Sequence, residues 1–269
     1  MNDEKKPRRS SFIVPHSSLS SEAYGAFAYA YDQALGERFF RAIRRLLNRV
    51  LGAHPARDKT HLDVACGTGL AMEYFLRQGY KSTGVDLSMS MLHVARHRAG
   101  RLILGDMRAL PLRQKFSRVT CLYDSLNHLD DLRAAFAAIR AVLAEDGLFL
   151  FDVNHPDIYP AIWGSDEPFI ADGEDFHLEM ATKFAKGRAE ALVTGWAIVD
   201  GKRVIIRERR RQRAFTEREI IDALASAGLI PSEMIEFDPY AEGRSVKLFF
   251  VCEHSQPSHE AVLHRKRPH

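Results

Sequence analysis

The sequence predicts an α/β fold: a doubly wound, seven-stranded sheet with a small antiparallel β insertion after the fifth strand. Three observations carry this expectation. From Thr60 to Asn154, short apolar runs alternate with amphipathic helical stretches, which is the pattern of a parallel sheet covered on both faces. Between 156 and 215 the pattern changes to strand-like runs, with Asp200-Gly201 as a hairpin signal. One helix and two further strands then lead to residue 253.

Residues 1–20 are polar and rich in serine, with Pro7 and Pro15, and read as a flexible tail. Over 22–53, Phe39, Phe40, Ile43, Leu46, Leu47, Val50 and Leu51 fall on one helical face. The first strand runs from Leu62 into Gly67-Thr68-Gly69, followed by a helix over 69–79. The second ends at Gly84-Val85-Asp86-Leu87, and a helix over 89–99 follows Ser88. Arg101–Leu104 is the third strand, closed by Asp106 and Met107. Phe116–Cys121 is the fourth, leaving through Tyr123-Asp124-Ser125-Leu126-Asn127-His128 into a helix over 131–144. The fifth strand is 148–153. Strands over 176–184, 191–199 and 203–215 form the insertion. Thr216-x-x-Glu219 is a capping box for a helix that Gly228 ends. Strands over 232–240 and 245–253 complete the core. The expected division is therefore a tail over 1–20, a core over 21–155, an insertion over 156–215, the rest of the core over 216–253, and a tail over 254–269.

Composition narrows the class. A hydrophobic content of 46% and a charged content of 27% are those of a soluble globular protein. A net charge of +3 gives little support to a polyanion partner, so nucleic acid is not the expected one. Cys66, Cys121 and Cys252 are an odd set in apolar strands, which suits reduced thiols and a cytoplasmic protein. No apolar run reaches the ~18 residues of a spanning helix, and the N-terminus lacks the apolar core of a signal peptide, so no membrane is expected. No metal is expected either.

A glycine turn after a buried strand, with an acid at the next strand tip, is the layout of a nucleoside site. Met72 stands where a dinucleotide fingerprint has its third glycine, and there is no phosphate loop of the G-x-x-x-x-G-K-[ST] type. The turn suits a ligand that approaches backbone closely and lacks a pyrophosphate. Asp63-x-Ala65-x-Gly67-x-Gly69 resembles the first motif of the class I S-adenosylmethionine-dependent methyltransferases, with Ala65 where glycine is commonest. Asp86, Asp106 and the loop after the fourth strand match that family's later motifs in order and spacing, from about Tyr24 to Cys252.

The resemblance implies a Rossmann-like core that binds S-adenosylmethionine. It places Asp86 on the ribose hydroxyls, Asp106 on the adenine amino group, and Met107 on the ring. Asp63, Ala65, Cys66, Gly67, Gly69, Leu87 and Met91 complete that expectation, with Tyr24 and Tyr31 over the methionine end and Tyr123 near the methyl. Local readings compete: Asp86 also suits an N-cap, and Tyr123 and Met107 also suit the core. His128 is the one plausible general base, and Asn127 a candidate for orienting substrate or sulfonium. Similar enzymes carry E-x-H-x-Q-R on a late strand; Glu208-x-Arg210-x-Gln212-Arg213 keeps that frame with Arg for His. If this face lines a pocket, Glu208, Arg210 and Gln212 meet the substrate and Arg210 favours an anionic group. Otherwise it is a solvated charged strand. Trp163 suggests an aromatic wall.

The leading expectation is methyl transfer to a small-molecule nitrogen or oxygen. An RNA methyltransferase using the Arg207–Arg213 strand, and a non-catalytic binder of the nucleoside, are the alternatives. The fourth-strand motif is unlike [DN]-P-P-[YF], and there is no Pro-Cys pair, which argues against nucleobase chemistry. Acceptor identity and oligomeric state are open.

Overall fold

The computed structural model describes residues 25–98, 100–239 and 246–255, and the backbone of 264–266. A helical segment opens it: α1 (Ala28–Tyr31), a π-helical turn (Asp32–Gly36) and α2 (Glu37–Ala53). The core follows as β1 (Thr60–Val64), α3 (Leu70–Arg77), β2 (Lys81–Asp86), α4 (Met89–Ala95), β3 (Arg101–Leu104), β4 (Phe116–Cys121), α5 (Arg133–Val142) and β5 (Leu143–Asn154). The insertion holds β6 (Phe169–Gly173), β7 (Phe176–Ala185), β8 (Arg188–Val199) and β9 (Lys202–Arg213). The chain returns to the core through α6 (Glu217–Ser226), β10 (Leu229–Phe237) and β11 (Lys247–His254), and ends its described part with β12 (His264–Lys266).

The main sheet has the order β12-β10-β11-β5-β4-β1-β2-β3. Strands β1 to β5 run parallel, and β11 is antiparallel to both neighbours. These are the seven strands the sequence predicts; the short β12 adds an eighth at the edge, parallel to β10. The strand order reverses between β1 and β4. In an open α/β sheet the crevice beyond those strand ends is where ligands bind.

Burial explains the layering. On β5, Phe149 and Phe151 face α5 and α6, where they meet Phe136 and Leu224. Leu148 and Leu150 alternate to the other face, against Phe39, Ile43 and Leu47 of α2 and Phe75 of α3. This is the period of two that a strand requires, with both faces covered as a parallel sheet demands. Phe151 stacks on Phe250 of β11 at 4.7 Å between ring centroids. Each such ring, fully buried, contributes roughly 1.5–3 kcal/mol relative to exposure.

The insertion is a four-stranded antiparallel sheet in the order β6-β7-β8-β9. Asp200 and Gly201 both have positive φ (50° and 73°) between the paired Val199 and Lys202, a type I′ turn as the sequence signals. Strand β6 is not foreseen from the sequence, and β8 begins earlier than expected, after a second tight turn at Lys186-Gly187. The capping box at Thr216 and Glu219 forms with both its hydrogen bonds. No described helix is long and apolar enough to cross a membrane. Cys66, Cys121 and Cys252 are free and buried.

Candidate functional site

The turn after β1 leaves regular geometry at once. Ala65, Gly67 and Gly69 all take positive φ (55°, 53° and 84°). Glycine adopts this region without strain, which is why two of the three positions carry it. The turn presents Gly67 N–H to Asp86 Oδ2 at 2.8 Å, while Ser88 N–H donates to Oδ1 at 2.8 Å. The carboxylate is thereby fixed at the tip of β2. Burial raises its pKa, and the Ser88 and Gly67 hydrogen bonds pull the other way. Ser88 also accepts from Met91 N–H and starts α4, so the competing N-cap role falls to Ser88.

A cavity of about 490 Å³ opens over this turn. It brings together Tyr31, Ala65, Cys66, Gly67, Asp86, Leu87, Met91, Asp106, Met107, Tyr123 and His128 from the residues singled out in the sequence. Asp106 shares its carboxylate with Arg108, at 2.6 Å to Nη2, and that guanidinium holds its pKa below the usual range. Gly69 does not line the cavity; it stands at the start of α3. Tyr24 lies outside the described residues.

Asp63 lies beneath the turn rather than on the cavity wall. It is 2% exposed, and Thr120 Oγ1–H donates to its Oδ1 at 2.5 Å. That commits the single hydroxyl proton of Thr120. His61 Nε2–H therefore donates to Thr120 Oγ1 at 2.9 Å, and His61 Nδ1 accepts from Ser82 Oγ–H at 2.8 Å. Burial pushes the Asp63 carboxyl up to about 7; Thr120 opposes this and the Asp86 charge adds to it.

The opening helical segment is pinned over the cavity from two sides. Thr68 Oγ1–H donates to Asp32 Oδ1 at 2.5 Å, and Arg98 Nη2 pairs with Asp32 Oδ2 at 2.8 Å. On the insertion side, Phe27 N–H donates to Glu208 Oε1 at 3.1 Å, and Glu208 is ion-paired with Arg210.

A second cavity of about 210 Å³ lies between this segment, the insertion and the ends of β4, β5 and β11. It shares Tyr31, Tyr123, His128 and Arg210 with the first. Trp163 and Gln212 line it. Glu208 does not: it is 2% exposed and serves as partner to Arg210 and the Phe27 amide. Arg210 lines both cavities and is paired with Glu208, so the charge it presents there is partly matched from within the protein.

His128 donates from Nδ1–H to the Arg211 carbonyl at 2.7 Å, which leaves Nε2 as its acceptor nitrogen. Burial lowers its pKa, Asp124 opposes, and the Arg210 and Lys247 charges add to the lowering. Tyr123 has φ 63°, and its hydroxyl has no hydrogen-bond partner among the described residues. Asn127 is a correction. Its Nδ2 donates to the Arg213 carbonyl at 2.8 Å and its Oδ1 accepts Asn154 N–H at 2.9 Å, so it ties β9 to β5 and lines neither cavity.

Sequence reasoning missed the charged floor of the second cavity. Asp152 accepts Tyr123 N–H at 2.7 Å and Asp124 N–H at 3.0 Å, which holds the loop after β4. Lys247 pairs with Asp124 and, at 3.2 Å, with Asp152. The available signal was a lysine opening the apolar run of β11.

Comparisons with known proteins agree with this geometry. A family model described as a methyltransferase domain matches residues 62–151. The dTDP-3-amino-3,6-dideoxy-alpha-D-glucopyranose N,N-dimethyltransferase of Streptomyces fradiae is 33% identical over 151 residues, covering 52% of this chain and 59% of that protein. A malonyl-acyl-carrier-protein O-methyltransferase of Pectobacterium atrosepticum is 34% identical over 133 residues, covering 47% and 52%. The matched part thus spans little more than half the length of these curated relatives. Among solved structures, an S-adenosylmethionine-dependent methyltransferase from Clostridium acetobutylicum superposes with a TM-score of 0.72 at 22% identity, covering 87% of this chain and 99% of that one. The fold is shared over nearly the whole of that structure, and the match to a methyltransferase domain lies across β1 to β5.

Proposed function

We propose that the protein transfers a methyl group from S-adenosylmethionine to a nitrogen or oxygen of a small molecule. The observation that carries this reading is the meeting of two cavities at Tyr31, Tyr123, His128 and Arg210, one over the glycine turn and one under the insertion. The residues fit the cosubstrate. Asp86 is held by two backbone N–H groups with its carboxylate on the cavity wall, and a Tyr123 hydroxyl without a partner among the described residues lines the junction. When bound, S-adenosylmethionine supplies a methyl already activated by its sulfonium.

The chain's own work is then alignment and exclusion of water. In this reading Asp86 takes the ribose hydroxyls, Asp106 and Met107 the adenine, and Cys66, Gly67, Leu87 and Met91 the walls, with Tyr31 closing over the methionine end. Asp63 supports the turn from below. The unit over 156–215 roofs the acceptor cavity through Trp163, and His128 accepts a proton at Nε2. The relatives' names span the N,N-dimethylation of a dTDP-amino sugar and the O-methylation of malonyl-acyl-carrier protein, so the acceptor atom stays N or O at this level.

A thermal-unfolding series tests the reading with S-adenosylmethionine, S-adenosylhomocysteine, NAD and no ligand. A ligand at ~100 times its dissociation constant adds about 2.7 kcal/mol. For a chain of this size that is roughly 5–10 °C. The two sulfur nucleosides should raise the midpoint and NAD should not. A shift with NAD alone, or with none of the three, overturns the proposal.

A further inference from the structure

We infer that the acceptor is an amine, bound as a cation in the second cavity and recognised by Asp124. This rests on the methyltransferase reading above and narrows its acceptor class. The charged residues lining the second cavity are Asp124, Glu167, Arg210 and Lys247. Both cations are already matched from within the protein, Arg210 by Glu208 and Lys247 by Asp124 and Asp152 together. With the buried partners Glu208 and Asp152, which do not line the cavity, added to Asp124 and Glu167, four acids stand against two cations; burial raises the Asp152 pKa and the Lys247 charge opposes this. Lys247 is 3% exposed along its side chain and shared between two acids, while the Asp124 carboxylate, which takes Lys247 on Oδ1 and the Gln212 Nε2–H on Oδ2, keeps 24% side-chain exposure in the cavity lining, and each oxygen has room for a further donor. The excess negative charge is built into the floor and rim of the acceptor cavity. A carboxylate or an alkoxide entering it meets repulsion; an ammonium completes it.

The rest of the wall suits a cation with an apolar body. Trp163, Phe169, Ile162 and Met180 descend from the insertion, and aromatic faces attract ammonium groups. Tyr31 and Phe39 close the opposite side.

The charge movement of the reaction points the same way. The ammonium gives one proton to Nε2 of His128, which passes it to solvent. The freed nitrogen lone pair forms the new C–N bond as the S–C bond breaks, leaving a neutral thioether in the first cavity. One positive charge thereby moves from sulfur to nitrogen, toward Asp124. Fixed negative charge placed where positive charge develops stabilises that transition state. With a carboxylate acceptor no positive charge would remain on the product, and the same field would oppose binding.

The test is calorimetric titration of the full chain saturated with S-adenosylhomocysteine, using three probes on one body: benzylammonium, benzyl alcohol and benzoate. The expected result is a dissociation constant for benzylammonium at least ~10-fold below the other two. Asp124→Asn should abolish that preference; asparagine tolerates the left-handed φ of 48° found at this position. Glu167→Gln, at the exposed rim, should reduce the preference in a variant that keeps the core intact. Benzoate or benzyl alcohol binding as tightly as benzylammonium overturns the inference. So does a preference that survives Asp124→Asn, or no benzylammonium binding while S-adenosylhomocysteine still binds. Failure of S-adenosylhomocysteine itself to bind would instead strike the methyltransferase reading.

Discussion

Replacing Asp63 by asparagine should stabilise the ligand-free protein, and more so as pH rises. The carboxyl is buried beneath the glycine turn and its pKa is pushed up from 3.8 to about 7, first by burial. That displacement corresponds to about 4 kcal/mol of preference for the protonated form. The folded state holds this proton to higher pH than the unfolded chain does. Stability from this group is thus complete below 3.8, declines as pH rises through the interval from 3.8 to about 7, and stays at its lower value above it. An amide has no such ionisation, and its oxygen still accepts from Thr120 Oγ1–H. At pH 5 wild type has lost less than half of the effect, so the advantage of Asp63→Asn should grow by about 2–3 kcal/mol between pH 5 and pH 8. Thermal melts of the two proteins without ligand, taken across that range, should separate by a further 5–10 °C or so. A gap that is constant with pH, or that narrows toward pH 8, refutes the reasoning about the buried acid.

Three other outcomes are expected. Asp32→Ala removes the partner of Thr68 and one partner of Arg98, and should lower stability in urea titration by about 1–3 kcal/mol, since both side chains of the pair are mostly buried; a change below a few tenths would mean the helical segment is held elsewhere. Gly195→Ala should cost about 2–3 kcal/mol in thermal melts, because φ is +143° and a Cβ would stand 1.9 Å from the His177 carbonyl oxygen; an unchanged midpoint would contradict the described pairing of β7 and β8. With an acceptor in hand, the acid limb of kcat/KM should fall below the ordinary histidine value, because burial lowers the His128 pKa, and His128→Asn should abolish that limb. A limb that persists in the variant removes His128 from proton transfer.

Much of the architecture was legible because it rests on local rules. The turn at Gly67 and Gly69 needed positive φ, Asp200-Gly201 needed a type I′ turn, and Thr216 with Glu219 needed nothing beyond a first helical turn. The apolar face of α2 was equally plain, since Phe39, Ile43, Leu47 and Val50 recur at helical spacing. What escaped was set by distant partners. Lys247 acquires its meaning only when the antiparallel pairing of β5 and β11 puts Lys247 beside Asn154, near Asp152 and within reach of Asp124. Asn127 looked like a site residue by its place after β4, but its amide is taken up by backbone groups of Asn154 and Arg213. The pairing of Arg210 with Glu208, two residues away on the same face of β9, is likewise not given by the charge pattern alone. Strand β6 has only five residues, mostly exposed, and so carries little of the alternation that betrays a half-buried strand.

In the proposed function Asp86, held by Gly67 and Ser88, marks the site of the adenosyl group. Calorimetric titration of S-adenosylhomocysteine into wild type and Asp86→Ala tests it most directly. Wild type should show one saturable site, and the variant at least ~10-fold weaker binding, the loss expected when a carboxylate that accepts charge-assisted hydrogen bonds is removed. Equal affinity in the two proteins, or no binding to wild type, would contradict it.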